Sequence, residues 1–227
     1  MTVELDALRS IPYFEGLSQA ELEAVRQLVF EKTADRNEVI LLEGDPPGAI
    51  YFVMSGALKA FKTSPEGKEQ ILCILRPGDS FNDVAAFDGG PNPASVRAMS
   101  PVRLYGIAGP DMHDLMRRYP TIAINVVRDL AQKVRHFVTL VEDLSFRHVT
   151  ERVARLLLEY ATEPEGTEGG TRPRLTQQEM AAMVGSAREV VGRSLKALEE
   201  EGAIRMERHR IAIVDKETLK ELASGEV

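Results

Sequence analysis

The chain has 227 residues, 44% hydrophobic and 28% charged, a balance that excludes a disordered polyelectrolyte and leaves room for two core-forming domains. A net charge of −7 excludes a protein that coats nucleic acid indiscriminately, and a lone cysteine, Cys73, excludes an intrachain disulfide or a cluster held by several thiolates. No apolar run approaches the ~18 residues of a membrane span, and the acidic start MTVELDALRS lacks a basic-then-apolar leader, so a cytoplasmic protein is expected.

Ser18-Gln19-Ala20-Glu21 has the spacing of a capping box and predicts a helix to about Val29, with Leu22, Val25, Leu28 and Val29 on one face. From there to about residue 108 the texture becomes that of strands. Short apolar runs (39–42, 49–54, 70–75, 95–98 and 102–105) alternate with turns such as Gly44-Asp45-Pro46-Pro47-Gly48, Ser55-Gly56, Pro65-Glu66-Gly67 and Pro77-Gly78-Asp79. Strands this short and this closely spaced predict an antiparallel β-roll or sandwich. Gly109-Pro110-Asp111 opens a short helix, and Tyr119-Pro120 opens a long one that meets no breaker before about Phe146. Along it Val127, Leu130, Val134, Phe137, Val141 and Leu144 advance by 3, 4, 3, 4 and 3 residues, the a/d spacing of a seam. A narrow stripe flanked by Arg128, Asp129, Gln132, Lys133 and Arg135 predicts a parallel homodimer, against the alternative of a helix lying on its own β-domain. A further helix carries Val149, Val153, Leu156, Leu157 and Tyr160, and residues 162–170 read as a polar, glycine-rich loop.

Near the C-terminus Thr176-Gln177-Gln178-Glu179 and Ser186-Ala187-Arg188-Glu189 are two capping-box spacings ten residues apart, with Gly185 between them and Gly202 closing the second helix. Two short helices hinged at a glycine form a unit whose second helix fits a major groove. The segments 203–206 and 211–214 read as a hairpin, or wing, with Glu207-Arg208-His209-Arg210 at its tip. The charge is uneven in the same sense: eight Arg/Lys against six acids in residues 172–212 leave a surplus of two, so the remaining chain sums to −9. Arg188, Glu189 and Arg193 are the expected base readers, because arginine forks match guanine O6 and N7 and a carboxylate accepts from cytosine N4. Their structural alternative is an i,i+4 surface pair between Glu189 and Arg193. Thr176, Gln178, Ser186, Arg208 and His209 are expected at the DNA backbone, fixing register without specifying sequence.

This order of parts resembles the Crp/Fnr family of bacterial transcription regulators over nearly the whole chain. The resemblance is carried by Ile50-Tyr51-Phe52-Val53-Met54-Ser55-Gly56, Glu66-Gly67-Lys68-Glu69-Gln70-Ile71-Leu72, Pro77-Gly78-Asp79-Ser80-Phe81 and, most specifically, residues 175–179 and 184–193. It implies an α+β architecture: an N-terminal β-roll of the cyclic-nucleotide-binding jelly-roll type (residues 1–118), a dimerisation helix (119–146) and a winged helix-turn-helix (147–227). It further implies a homodimer on a palindromic operator, activation through RNA polymerase, and, from Arg188-Glu189-x-x-x-Arg193, half-sites near TGTGA. The family's phosphate-binding cassette corresponds to residues 81–95, where Asn82 and Asp83 remain and Asp83 stands for the ribose-binding acid. Pro93 and Ala94 occupy the Arg-Ser positions, so a buried phosphate would lack its cation. Phe137 and Val138 stand where hydroxyls would meet a purine, and with Ala85 and Phe87 they suggest an apolar pocket not built for cyclic AMP.

No cofactor or metal is expected. Haem has His113, His136 and His148 available, but a histidine on a charged helix reads as a solvated side chain. Cys73, mid-strand, reads as a buried structural thiol. The alternative is a regulator that keeps a cyclic-nucleotide or haem-type effector. An enzyme finds no support in the sequence, which has no Ser/His/Asp order, metal-ligand cluster or phosphate loop.

Overall fold

The computed structural model describes residues 3–162, 175–207 and 210–225. The chain opens with α1 (Leu5–Arg9), a 3-10 turn (Pro12–Phe14) and α2 (Gln19–Arg26), the last closed by the Ser18–Glu21 capping box. Eight strands follow: β1 (Phe30–Ala34), β2 (Val39–Leu41), β3 (Ala49–Ser55), β4 (Leu58–Thr63), β5 (Glu69–Leu75), β6 (Ser80–Phe81), β7 (Ser95–Ala98) and β8 (Val102–Ala108). A short α3 (Asp83–Asp88) separates β6 from β7. The helices α4 (Gly109–Arg118), α5 (Pro120–Phe146), α6 (Val149–Thr162), α7 (Gln177–Met183) and α8 (Arg188–Glu200) come next, then the hairpin β9 (Ile204–Glu207) and β10 (Arg210–Ile213), and α9 (Lys216–Ser224). No helix of the described residues is long and apolar enough to cross a membrane. By contacts the chain divides into two units, Met1–Lys62 with Leu72–His136 and Thr63–Ile71 with Phe137–Val227.

In the first unit the β-roll pairs its strands in the orders β1-β8-β3-β6 and β2-β7-β4-β5, antiparallel in the registers Ile50↔Ile107 and Phe52↔Tyr105, and Ala60↔Val96. The central strands β3 and β8 are apolar on both faces because both are covered. Ile50, Phe52, Tyr105 and Ile107 pack with the helices (Leu8, Tyr13, Phe14, Leu22, Met112, Ile122), whereas Val53, Val102 and Leu104, with Phe81 of their own sheet, pack with Leu58 and Val96 of the second sheet. Two-sided burial explains why the 49–54 run lacks strand alternation. Strands β1 and β4 escaped the sequence reading because lysines interrupt them. The structure puts the Lys59 ammonium over the Phe61 ring, 5.1 Å from its centroid. Gly106 is needed where it stands: a Cβ there would lie 2.3 Å from the Phe30 ring.

The start of α5 belongs to this unit. Ile122 and Val126 are buried, and Asn125 Nδ2 donates to the carbonyls of Tyr13 at 3.2 Å and Glu15 at 2.9 Å. The face of α5 left bare runs through Ile124, Val127, Val134, Val138 and Val141, the four valines each 60–65% exposed. Leu130, expected on the seam, is half-buried against the unit's own core. Phe137 and Leu144 are exposed, at 41% and 38%. The barest stripe therefore passes through Val138 rather than Leu130.

The second unit has its own core: Val153, Ala154, Leu156 and Leu157 of α6, Met180 and Ala181 of α7, Val191, Leu195 and Leu198 of α8, Ile204, and Leu219 of α9. The hairpin pairs Arg210↔Glu207 through Ile213↔Ile204. Its tip residues Arg208 and His209, and most of the glycine-rich loop, lie outside the described residues.

Candidate functional site

The readout element is assembled by local chemistry. Thr176 Oγ1 accepts from the Glu179 amide at 3.1 Å while the Glu179 carboxylate accepts from the Thr176 amide at 2.7 Å, a closed capping box that starts α7. Gln178 is exposed on the first turn. The turn after α7 needs Gly185, which takes φ +65° and whose missing Cβ leaves room for the Leu144 side chain. It also lets the Ser186 amide donate to the Ala181 carbonyl at 2.9 Å.

The expected second capping box does not form. The N-cap of α8 is Ala187, with no side-chain hydrogen bond, because the Ser186 amide is used to close the preceding turn and the helix starts one residue later than the Ser-x-x-Glu spacing needs. No side chain caps the first amides of α8, at the positive end of a 13-residue helix dipole. Beside that end stand Arg188 and Glu189, with Arg193 a turn further along, all exposed. The opposite face, Val191, Ser194, Leu195 and Leu198, is buried, and Ser194 Oγ lies 3.0 Å from Thr150 Oγ1 on α6. The Glu189–Arg193 surface pair is not made, whereas Lys196 lies 3.5 Å from Glu200. Arg188, Glu189 and Arg193 thus point outward from a rigidly packed helix with their hydrogen-bonding groups uncommitted among the described residues.

The cassette region differs from the apolar pocket the sequence suggested. Ala85 is buried, and Phe87 packs edge-on to His113, centroids 5.8 Å apart, with His113 Nε2 3.1 Å from the Ala86 carbonyl. Asn82 takes the left-handed conformation, φ 68°, ahead of α3, and donates to the Ala49 carbonyl at 2.9 Å. Asp83, 5% exposed, sits inside a charged cluster. Its Oδ1 accepts from the Tyr13 hydroxyl at 2.6 Å and its Oδ2 from Lys133 Nζ at 2.6 Å. Lys133 also donates to Ser80 Oγ at 2.7 Å and to the Ser80 carbonyl at 3.0 Å, and lies 2.8 Å from Asp129 Oδ2. Burial, and then the neighbouring Asp83 charge, push the Tyr13 hydroxyl far above the ordinary phenol range, so it stays a donor. Burial works against the Lys133 ammonium, but the Asp83 charge and the hydrogen bonds to Asp129 and Asp83 outweigh it and hold the group above its ordinary value. Asp79, close by, is pushed up by burial while accepting from the Arg76 amide at 2.7 Å. Of this cluster the sequence points only to Asp83 as a site residue; Asp129 and Lys133, expected as polar flanks of the seam, turn inward to it. The i,i+4 spacing of Asp129 and Lys133 was the one available signal.

Pro93 and Ala94 fall in the segment between α3 and β7, and the Pro93 carbonyl accepts from Lys62 Nζ at 3.1 Å. Phe137 and Val138 belong to the second unit's share of α5. His136 Nε2 lies 3.0 Å from the Leu72 carbonyl. Among the described residues no three His, Cys, Asp or Glu side chains are grouped to hold a metal ion. Cys73 is pushed up to about 11, by burial first and then by Asp79.

Residues 31–119 match the model of the cyclic nucleotide-binding domain, and residues 151–222 match that of the Crp-like helix-turn-helix domain. The CRP-like cAMP-activated global transcriptional regulator of Mycobacterium tuberculosis is 31% identical over 209 residues, 91% of this chain and 93% of the relative. The cyclic AMP receptor protein of Thermus thermophilus is 30% identical over 220 residues, 96% of this chain and 99% of the relative. Among solved structures, a transcriptional regulator of the CRP/FNR family from Thermus thermophilus superposes with a TM-score of 0.67 at 29% identity, covering 86% of this chain and 98% of that one. An antiparallel roll, a long helix and a helix-turn-helix with wing agree with these matches in order and extent, and the chain belongs to the Crp/Fnr family of DNA-binding transcription regulators.

Proposed function

We propose that this regulator binds, as a parallel homodimer, an operator of two TGTGA-like half-sites, and that it acts as an activator through RNA polymerase. The observation that carries the reading is the outward, uncommitted set Arg188, Glu189 and Arg193 at the start of α8, opposite a fully packed face. Arginine forks there suit guanine O6 and N7, and the uncapped amides of α8 suit a phosphate. Thr176, Gln178 and Ser186 stand beside them as backbone contacts. The bare valine stripe of α5 is the dimer seam, since β-branched residues at such positions favour two parallel strands. The dimer then sets the half-sites about one helical turn apart, some 34–36 Å.

The sensor, in this proposal, does not use cyclic AMP. Pro93 and Ala94 offer a phosphate neither cation nor hydroxyl, and both oxygens of Asp83 are already engaged. A second reading, that a cyclic nucleotide still binds, is favoured by the relatives described as cAMP-activated. Calorimetry with cyclic AMP and cyclic GMP decides between them, micromolar binding favouring the second. The DNA reading is tested by selecting bound duplexes from random sequence. Arg188→Ala and Arg193→Ala are each expected to weaken specific binding by roughly 1–3 kcal/mol and to relax the preference for guanine. Unchanged base preference in both variants would mean that another surface docks.

A further inference from the structure

Lys133 is hard to explain by stability alone. An ion pair with one buried partner, as here with Asp83 5% and Lys133 29% exposed, gives back much of its attraction to desolvation. Here four acceptors from three elements converge on one ammonium: Asp83 Oδ2 on α3, Ser80 Oγ and carbonyl on β6, and Asp129 Oδ2 on α5 itself. The acid so engaged is the one that would otherwise be open to an effector, and its second oxygen is taken by Tyr13.

The position of Lys133 on α5 gives the cluster a mechanical meaning. Residues 122, 126, 129 and 133 lie at helical spacing along the inward face. With Lys133 drawn inward, Val127 and Val134 are turned outward, as observed. Asn125 fixes the first turns of the helix, and Lys133 fixes the turns that follow.

We propose that Lys133 is a built-in effector. Its ammonium occupies the cassette acid and holds the first-unit part of α5 in the rotational setting that presents the seam, so operator binding needs no small molecule. This rests on the DNA-binding and dimer reading above and names how that activity is regulated.

The test uses the full chain, freed of nucleotide, titrated against the selected operator with and without cyclic AMP or cyclic GMP. The wild type is expected to bind without addition, and either nucleotide to change its affinity less than about twofold. Lys133→Met keeps the stem but takes the cation from two carboxylates, buried Asp83 and part-exposed Asp129, so it is compared with the double variant Lys133→Met, Asp83→Asn, which restores the cluster's net charge of −1. With cooperative thermal unfolding preserved, the double variant is expected to lose at least about tenfold in operator affinity and in dimerisation, because the competent setting of α5 is then only a fraction of the population. Its affinity for non-specific duplex per monomer should stay within about twofold, which a general loss of structure would not allow. Wild-type protein that prefers an operator only when nucleotide is added overturns the built-in effector and leaves the DNA reading standing. So does a folded double variant with wild-type operator affinity. No preference for any duplex, with or without nucleotide, overturns both.

Discussion

Truncating Val127, Val134 and Val141 to alanine should dissolve the proposed dimer without disturbing the protomer. These three lie on the expected seam and on the bare stripe seen in the structure, with 65%, 60% and 63% of their surface exposed. Burying a CH2-sized group is worth about 0.8 kcal/mol, so the two carbons lost per valine are worth about 1.6 kcal/mol when moved from full exposure to full burial. Only the exposed part, some 60%, remains for a partner to cover, which leaves about 1 kcal/mol per side chain. Six such side chains in a dimer give about 6 kcal/mol, more than four powers of ten in the dissociation constant. Alanine is the stronger helix former, so α5 itself is not weakened. Sedimentation equilibrium across a concentration series reads the constant directly, and operator binding should become steeply dependent on protein concentration. A dissociation constant that moves less than tenfold would show that the stripe is not the seam. Leu130→Ala is the contrasting case. That side chain packs on the core of its own unit, so its loss should lower protomer stability as well.

Gly185→Ala places a Cβ 2.6 Å from Leu144 at a φ of +65° and should cost at least about 1–2 kcal/mol in denaturant unfolding, with a loss of operator binding; an unchanged midpoint would refute the need for the left-handed turn. Leu195→Ala, fully buried behind the reading face, should cost about 2–5 kcal/mol by the same measurement. Cys73, half-buried rather than fully buried as the sequence suggested and pushed up to about 11, should react slowly with iodoacetamide at pH 8 in the native protein and faster once unfolded; equal rates would contradict the raised thiol. Lys133 binds its proton more tightly folded than unfolded. Its contribution is therefore complete below the ordinary lysine value and is lost as pH rises through the raised one. Cys73 adds a loss between its ordinary 9.0 and about 11, so stability should fall on the alkaline side, and Lys133→Met should show a shallower fall than the wild type. Equal slopes would remove Lys133 from the balance.

Sequence alone determined the parts that depend on near neighbours. The Thr176–Glu179 box, the glycine turn at 185, the breaker-free span from Pro120 to Phe146 and the two-sided apolar strands are set by spacings of two to four residues, and the folded chain keeps them. Failure began where two local motifs, or two distant segments, compete for one group. Ser186 has the spacing of a cap, but its amide is needed to close the turn from Ala181. The seam was assigned by period alone, and a 3-4 period admits two neighbouring stripes on one helix. Only the core behind Leu130 decides which of them is covered. The charged cluster was least legible, since Tyr13, Asp83 and Lys133 lie 70 and 50 residues apart along the chain. A carboxylate's partner is set by where burial brings a donor within 3 Å, and the tertiary fold alone supplies that distance.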